Sequence, residues 1–194
     1  MIKKSIAPLL LLLMGLSTPS QATIILRLDL DAMINRSDVI VRAKVISSTS
    51  RWTKDRRYIV TDTQLSIVEG LQGSETRKTL TVRRLGGTVD GIGMKVSGTA
   101  VLPQGQDVVV FTENRGGHRF VVGMQQGLYQ IVKNASGKPQ VTRALAGLAL
   151  QEKTVKGMRP ALHAHPKNQP ELLSSFLNRL RQRIAILKQG KPVK

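Results

Sequence analysis

The chain has 194 residues, with 30 Lys and Arg against 12 Asp and Glu, no cysteine, one tryptophan, two tyrosines and three phenylalanines. Without cysteine there is no disulfide framework, no iron–sulfur cluster and no thiol nucleophile, and three histidines leave little for an imidazole-built metal site. The length suits one domain with a real core, while a formal charge of +18 favours acidic partners and says nothing about fold.

Lys3 and Lys4 precede an apolar run over residues 6–16. Pro19 then breaks any helix, and Ser20 and Ala22 are the small residues a signal peptidase reads. The run is well short of the ~20 residues that span a bilayer. Residues 1–22 therefore read as a signal peptide cleaved after Ala22, and the protein is expected to be exported, either periplasmic or secreted. Without Lys3 and Lys4 the side-chain charge falls to +16.

Residues 29–35 suggest a short helix with Leu30, Met33 and Ile34 on one side. Val39, Val41, Ala43 and Val45 alternate with Ile40, Arg42, Lys44 and Ile46, the period-two pattern of a strand. Residues 58–68 form a longer β-branched run with Ile59, Thr61, Thr63, Leu65 and Ile67 on one face. Asp62 faces the other way, where Arg42 or Lys44 on a neighbouring strand offers a partner. Leu80 and Val82 mark another strand. Asp90-Gly91 between apolar residues is a two-residue hairpin signal, because both positions tolerate positive φ. A strand is expected over 94–101.

Turns at 103–105, 114–117, 126–127 and 134–139 separate strands over 107–112, 119–122, 128–132 and 140–143. About eight short strands result, so residues 23–150 are expected to be a mainly β domain, an OB-like small barrel or a meander. Residues 151–169 have no period and read as a linker or an ordered loop.

Pro170 suits the first position of a helix, which is expected over 170–189 and stopped by Gly190 and Pro192. Leu172, Leu173, Phe176, Leu177, Leu180, Ile184 and Leu187 give it an apolar face. Arg179, Arg181, Arg183 and Lys188 decorate the other side. Residues 151–194 hold ten basic and two acidic side chains, half the excess in a quarter of the exported length. Three readings of this helix stay open: it packs on the barrel, lies on an anionic membrane surface, or docks into a partner protein.

No hydrolase or phosphate-loop signature is present. Gly86-Gly87 and Gly91-x-Gly93 belong to hairpins. His163 and His165 form an H-x-H pair without an obvious third ligand, since His118 lies in another turn, so no metal and no cofactor is expected. Trp52 sits among Arg51, Lys54, Arg56 and Arg57, an aromatic-plus-basic cluster like a stacking platform in an electrostatic groove. It also suits a local cation–π contact or a solvated hairpin. With Arg179, Arg181, Arg183 and Lys188, these residues are the candidate binding surface.

Ser37-Asp38-Val39-Ile40-Val41, then Ile67-Val68-Glu69-Gly70-Leu71-Gln72-Gly73, then Gly105-Gln106-Asp107-Val108-Val109-Val110-Phe111 form an ordered pattern. With Gly86-Gly87 and Gly93-Met94-x-Val96-x-Gly98, it resembles the OB-type barrel of netrin-like and metalloproteinase-inhibitor-like (TIMP-like) domains. It also resembles exported bacterial proteins with the same strand and turn order. The likeness covers residues 30–146 and contains no reactive residue. The resemblance implies the barrel. It also raises inhibition of, or pairing with, an exported metalloprotease. The zinc-chelating N-terminal cysteine of those inhibitors has no counterpart here, where Thr23 would be first.

The expectation is a non-enzymatic exported binding module. Its expected partner is a protein, an anionic envelope polymer or a membrane surface, rather than nucleic acid. A histidine-based hydrolase is the remaining alternative.

Overall fold

The computed structural model describes residues 23–190 apart from 75, 144, 146–147, 155–156 and 161–168. The expected signal peptide, His163 and His165 lie outside the described residues. The fold is mainly β, with one long helix late in the chain.

Among the described residues, thirteen strands and two helices follow in order. Strand β1 (Thr23–Leu26) leads into helix α1 (Leu30–Arg36), capped by Asp29, whose carboxylate accepts a 2.7 Å bond from the Ala32 amide. Strands β2 (Val39–Trp52) and β3 (Ile59–Gln72) make a long antiparallel hairpin, and β4 (Thr79–Leu85) follows. A small hairpin, β5 (Gly87–Val89) and β6 (Ile92–Met94), turns on Asp90-Gly91 at φ 49° and 78°, as the Asp-Gly pair predicts. Then come β7 (Asp107–Arg115), β8 (His118–Val121), β9 (Leu128–Lys133) and β10 (Pro139–Thr142). Strands β11 (Leu148–Thr154), β12 (Gly157–Pro160) and β13 (Glu171–Leu172) precede helix α2 (Leu173–Gln189).

Eight strands form the main sheet, in the order β13-β10-β9-β7-β2-β3-β4, with β8 paired to β7. The path is open, because no ladder joins its ends among the described residues. It nonetheless curls: β4 comes alongside β8, although four strand spacings of a flat sheet would hold them about 19 Å apart. Register shifts at Ile40/Val41, Arg42/Ala43 and Val45/Ser47 on β2 are the bulges that let two fourteen-residue strands bend this far.

The curl gives the sheet two buried faces. On the concave side lie Val39, Val41, Ala43, Val45, Leu65, Leu80, Val82, Val108 and Val110, closed over by Ala100 and Leu102. On the convex side, Ile40, Val109 and Phe111 meet α1 and α2. Strand β7 therefore reads as a continuous apolar run rather than an alternation: Val108 to Phe111 are all fully buried.

Helix α2 packs on the sheet. Leu173, Phe176, Leu177, Leu180 and Ile184 are buried in the convex core. The Tyr129 ring stands 4.6 Å from that of Phe176 and 5.7 Å from that of Phe111, joining helix to sheet.

Four expectations are corrected. The helix starts at Leu173, not Pro170, because Glu171 and Leu172 are held extended by pairing with Val141 and Gln140 of β10. Leu172, outside the helix, is exposed. The expected strand over 94–101 stops at Met94, and the chain then crosses the concave face, burying Ala100. The expected linker over 151–169 carries the end of β11 and all of β12, an antiparallel pair whose other edge, β11, runs parallel to β1. Finally, the partner of Asp62 is neither Arg42 nor Lys44. Strand β4 places Arg83 directly opposite it, and Arg51 reaches it from β2.

Candidate functional site

The helix arginines expected to form a binding surface are engaged within the molecule. Arg179 pairs with Glu171 at 2.6 Å, Arg181 with Glu69, and Arg183 donates to Asp31 at 2.9 Å from Nε. Arg179 also stacks 5.4 Å over the Phe176 ring. The Arg183 bonds hold the Asp31 carboxyl below its ordinary range. Lys188 is exposed in the last turn, where a cation complements the helix dipole.

At the β2–β3 tip, Lys54, Arg56 and Arg57 are exposed and Trp52 is half-buried. The turn is tied by Thr53, whose hydroxyl donates to Asp55 at 2.6 Å, and this bond lowers the Asp55 pKa. Arg51 is taken by Asp62 at 2.7 Å. The cation–π contacts among the described residues are Arg143 with Tyr129 and Arg179 with Phe176, so Trp52 takes no part in one. The structure thus gathers 51–57 at one tip, with only part of its charge free, and spreads the helix cations along salt bridges.

A different site stands out inside the curl. Between β3, β4, β8 and the 96–102 segment lies a cavity of about 430 Å³. That volume lies within the range of small-molecule pockets. Its walls include Val82, Ala100, Leu102, Phe120, Val121 and Met124, with Thr63 and Thr99 supplying hydroxyls.

Strand periodicity places a charge on this apolar wall. Leu80 and Val82 of β4 point into the concave core, so Arg84, two residues on, lies on the same face. Arg84 is half-buried and lines the cavity. Burial pulls its guanidinium below the ordinary arginine value. Among the described residues it makes no hydrogen bond and no ion pair.

The neighbouring cavity arginines differ. Arg83, on the other face of β4, donates to both Asp62 oxygens, from Nε at 2.6 Å and Nη2 at 2.7 Å. This bidentate pair lowers the Asp62 pKa and raises that of Arg83. Arg115 pairs with Glu113, which Arg36 also reaches at 3.3 Å.

The chain beyond Arg84 is fixed by the Gly86-Gly87 pair. A Cβ on Gly86 would stand 2.7 Å from the Met94 carbonyl, and one on Gly87 would stand 2.5 Å from both the Ser50 and Thr61 hydroxyl oxygens. Thr61 donates to the Gly86 carbonyl at 2.6 Å, leaving Ser50 to donate to Thr61 at 2.9 Å. No bulkier residue fits this fold-over, which seats the β5–β6 hairpin on β2 and β3 beside Arg84.

Among the described residues no cluster of three or more His, Cys, Asp or Glu is placed to hold a metal ion, and His118 is exposed at the start of β8. No helix among them is long and apolar enough to cross a membrane. Sequence reasoning identified Leu80 and Val82 but did not extend their alternation to Arg84. That extension is the one signal that could have found the site, because the cavity itself depends on the curl and on the course of 96–102. No protein-family model and no curated protein matches this sequence.

Proposed function

We propose that this chain is an exported, non-enzymatic binding module whose ligand sits in the cavity between β4, β8 and the 96–102 segment. One observation carries the reading: a half-open, largely apolar hollow of about 430 Å³ between β4, β8 and the 96–102 segment. Small-molecule sites are typically concave, mostly apolar clefts with a few placed polar groups, and this hollow has that character. The engaged helix arginines favour this reading over capture of an acidic surface by α2. Export is supported by the basic start and apolar run of residues 1–22.

The test is a titration of the mature chain with a neutral, solvatochromic naphthylamine fluorophore. Saturable one-to-one binding with a blue-shifted emission is expected, and it should weaken in Ala100→Leu, which projects three further carbons into the cavity. Absence of saturable binding to the folded protein would remove the reading. For export, N-terminal sequencing of the protein from fractionated cells should find Thr23 first.

A further inference from the structure

Resting on the cavity reading, we infer that the ligand is a single-chain anionic amphiphile, its apolar tail among Val82, Ala100, Leu102, Val121 and Met124 and its carboxylate on Arg84. The walls define the tail. Apart from the arginines and two threonines they are apolar, and Met124, only half-buried, is the kind of unbranched side chain that adapts to a flexible guest.

The head group follows from charge. Arginine keeps its proton under all ordinary conditions, so Arg84 remains cationic although it is half-buried. Of the three arginines that line the cavity, Arg83 and Arg115 have carboxylates of their own, from Asp62 and Glu113. Arg84 has none among the described residues. A guanidinium presents a planar fork of donors matched to two carboxylate oxygens. A ligand carboxylate would supply what Asp62 supplies to Arg83, and its apolar chain would be led directly onto the wall beneath. A neutral ligand would leave the charge unmet, and a cationic one would oppose it.

The experiment is displacement of the neutral fluorophore by decanoate, decanol and decyltrimethylammonium, which share a tail and differ in head. Decanoate should bind about tenfold or more tighter than decanol, the worth of a charge-assisted hydrogen bond, and the ammonium should bind weakest. Affinity should rise about fourfold per added methylene until the cavity is full. In Arg84→Gln, decanoate should fall to the level of decanol while fluorophore binding persists. Arg84→Lys, which keeps the charge but not the fork, should fall between.

Lys138→Gln, a loss of one exposed charge on the β9–β10 turn, should leave the preference intact and so separates Arg84 from the general positive field. Circular dichroism of each variant checks the fold. Equal displacement by decanoate and decanol, or a preference that survives Arg84→Gln, would overturn the head-group assignment with the cavity still a binding site. Failure of the fluorophore to bind would overturn both.

Discussion

The two faces of one sheet have opposite solutions to the same excess of positive charge. On the convex side, α2 brings Arg179, Arg181 and Arg183, and each finds a carboxylate: Glu171, Glu69 and Asp31. Beneath them the helix is close-packed on Phe111 and Tyr129. On the concave side, the packing is incomplete and Arg84 is left without an acid among the described residues. Density of basic residues along the chain therefore does not say which of them lack a carboxylate. The convex arginines contribute to docking the helix, while the isolated concave one has capacity to spare.

The contrast is sharpest in packing. Leu180 is fully buried under α2, so Leu180→Ala should cost about 2–5 kcal/mol, read as a lower urea midpoint. A loss below about 1 kcal/mol would mean that the helix is not truly docked. Gln126 is the next test. Its side chain accepts from the Leu28 amide at 2.8 Å and donates to the Leu26 carbonyl at 2.9 Å, fastening the segment after β1 to the turn before β9. Gln126→Leu strands these two backbone groups and should cost about 2 kcal/mol or more.

A matched pair of substitutions compares filled and unfilled space within the concave core. Ala43 is fully buried away from the cavity, whereas Ala100 lines it. Ala43→Leu should cost about 1–3 kcal/mol by overpacking. Ala100→Leu should cost less than about 1 kcal/mol, since the space is already there. Equal penalties would show that the hollow closes in solution.

The electrostatic tests are smaller. Asp62→Asn should cost about 1 kcal/mol or less at neutral pH, because the cluster is partly solvated. The sign follows from the depressed Asp62 and Asp31 values. Their stabilisation is present above the unfolded carboxylate value of about 3.9 and is lost as pH falls through the lower folded values. Melting followed from pH 6 downward should thus show an acid-side loss that is shallower in Asp62→Asn. Arg84→Gln should change stability by no more than about 0.5 kcal/mol, or raise it slightly, since it removes a half-buried charge that has no partner among the described residues. A larger loss would make Arg84 structural.

Much of the fold was legible because its period-two runs carry one apolar face each. Thr61 and Thr63 within the β3 row are buried as that row predicts, bonded to Ser50 and Ser48 across the ladder. Asp90-Gly91 and Asn114 through Gly117 fixed their hairpins through turn chemistry. What was not legible depends on long-range partners. Beyond Met94, residues 95–101 carry strand-like residues but pair with no neighbouring edge, so they lie as a loop. Glu171 and Leu172 would continue a helix, but β10 captures them. Asp62 found Arg83 and Arg51 through a register that no single strand reveals.

The placement of α2 also has a consequence for the order of folding. Strands β2 to β9, residues 39–133, contain the curl and every ladder of its wall, and the β2–β3 hairpin closes over only a short turn. The convex core cannot be completed until residues 173–189 exist. An emerging chain therefore builds its concave half first and presents a convex apolar strip, with Tyr129 in it, that α1 covers only in part. Strand β13 and helix α2 return to β10 and Tyr129 over loops of tens of residues, at an entropic cost that grows only logarithmically. The vulnerable species in its biogenesis is this half-built sheet, and a helper that shields one apolar strip until the helix arrives would be enough to protect it.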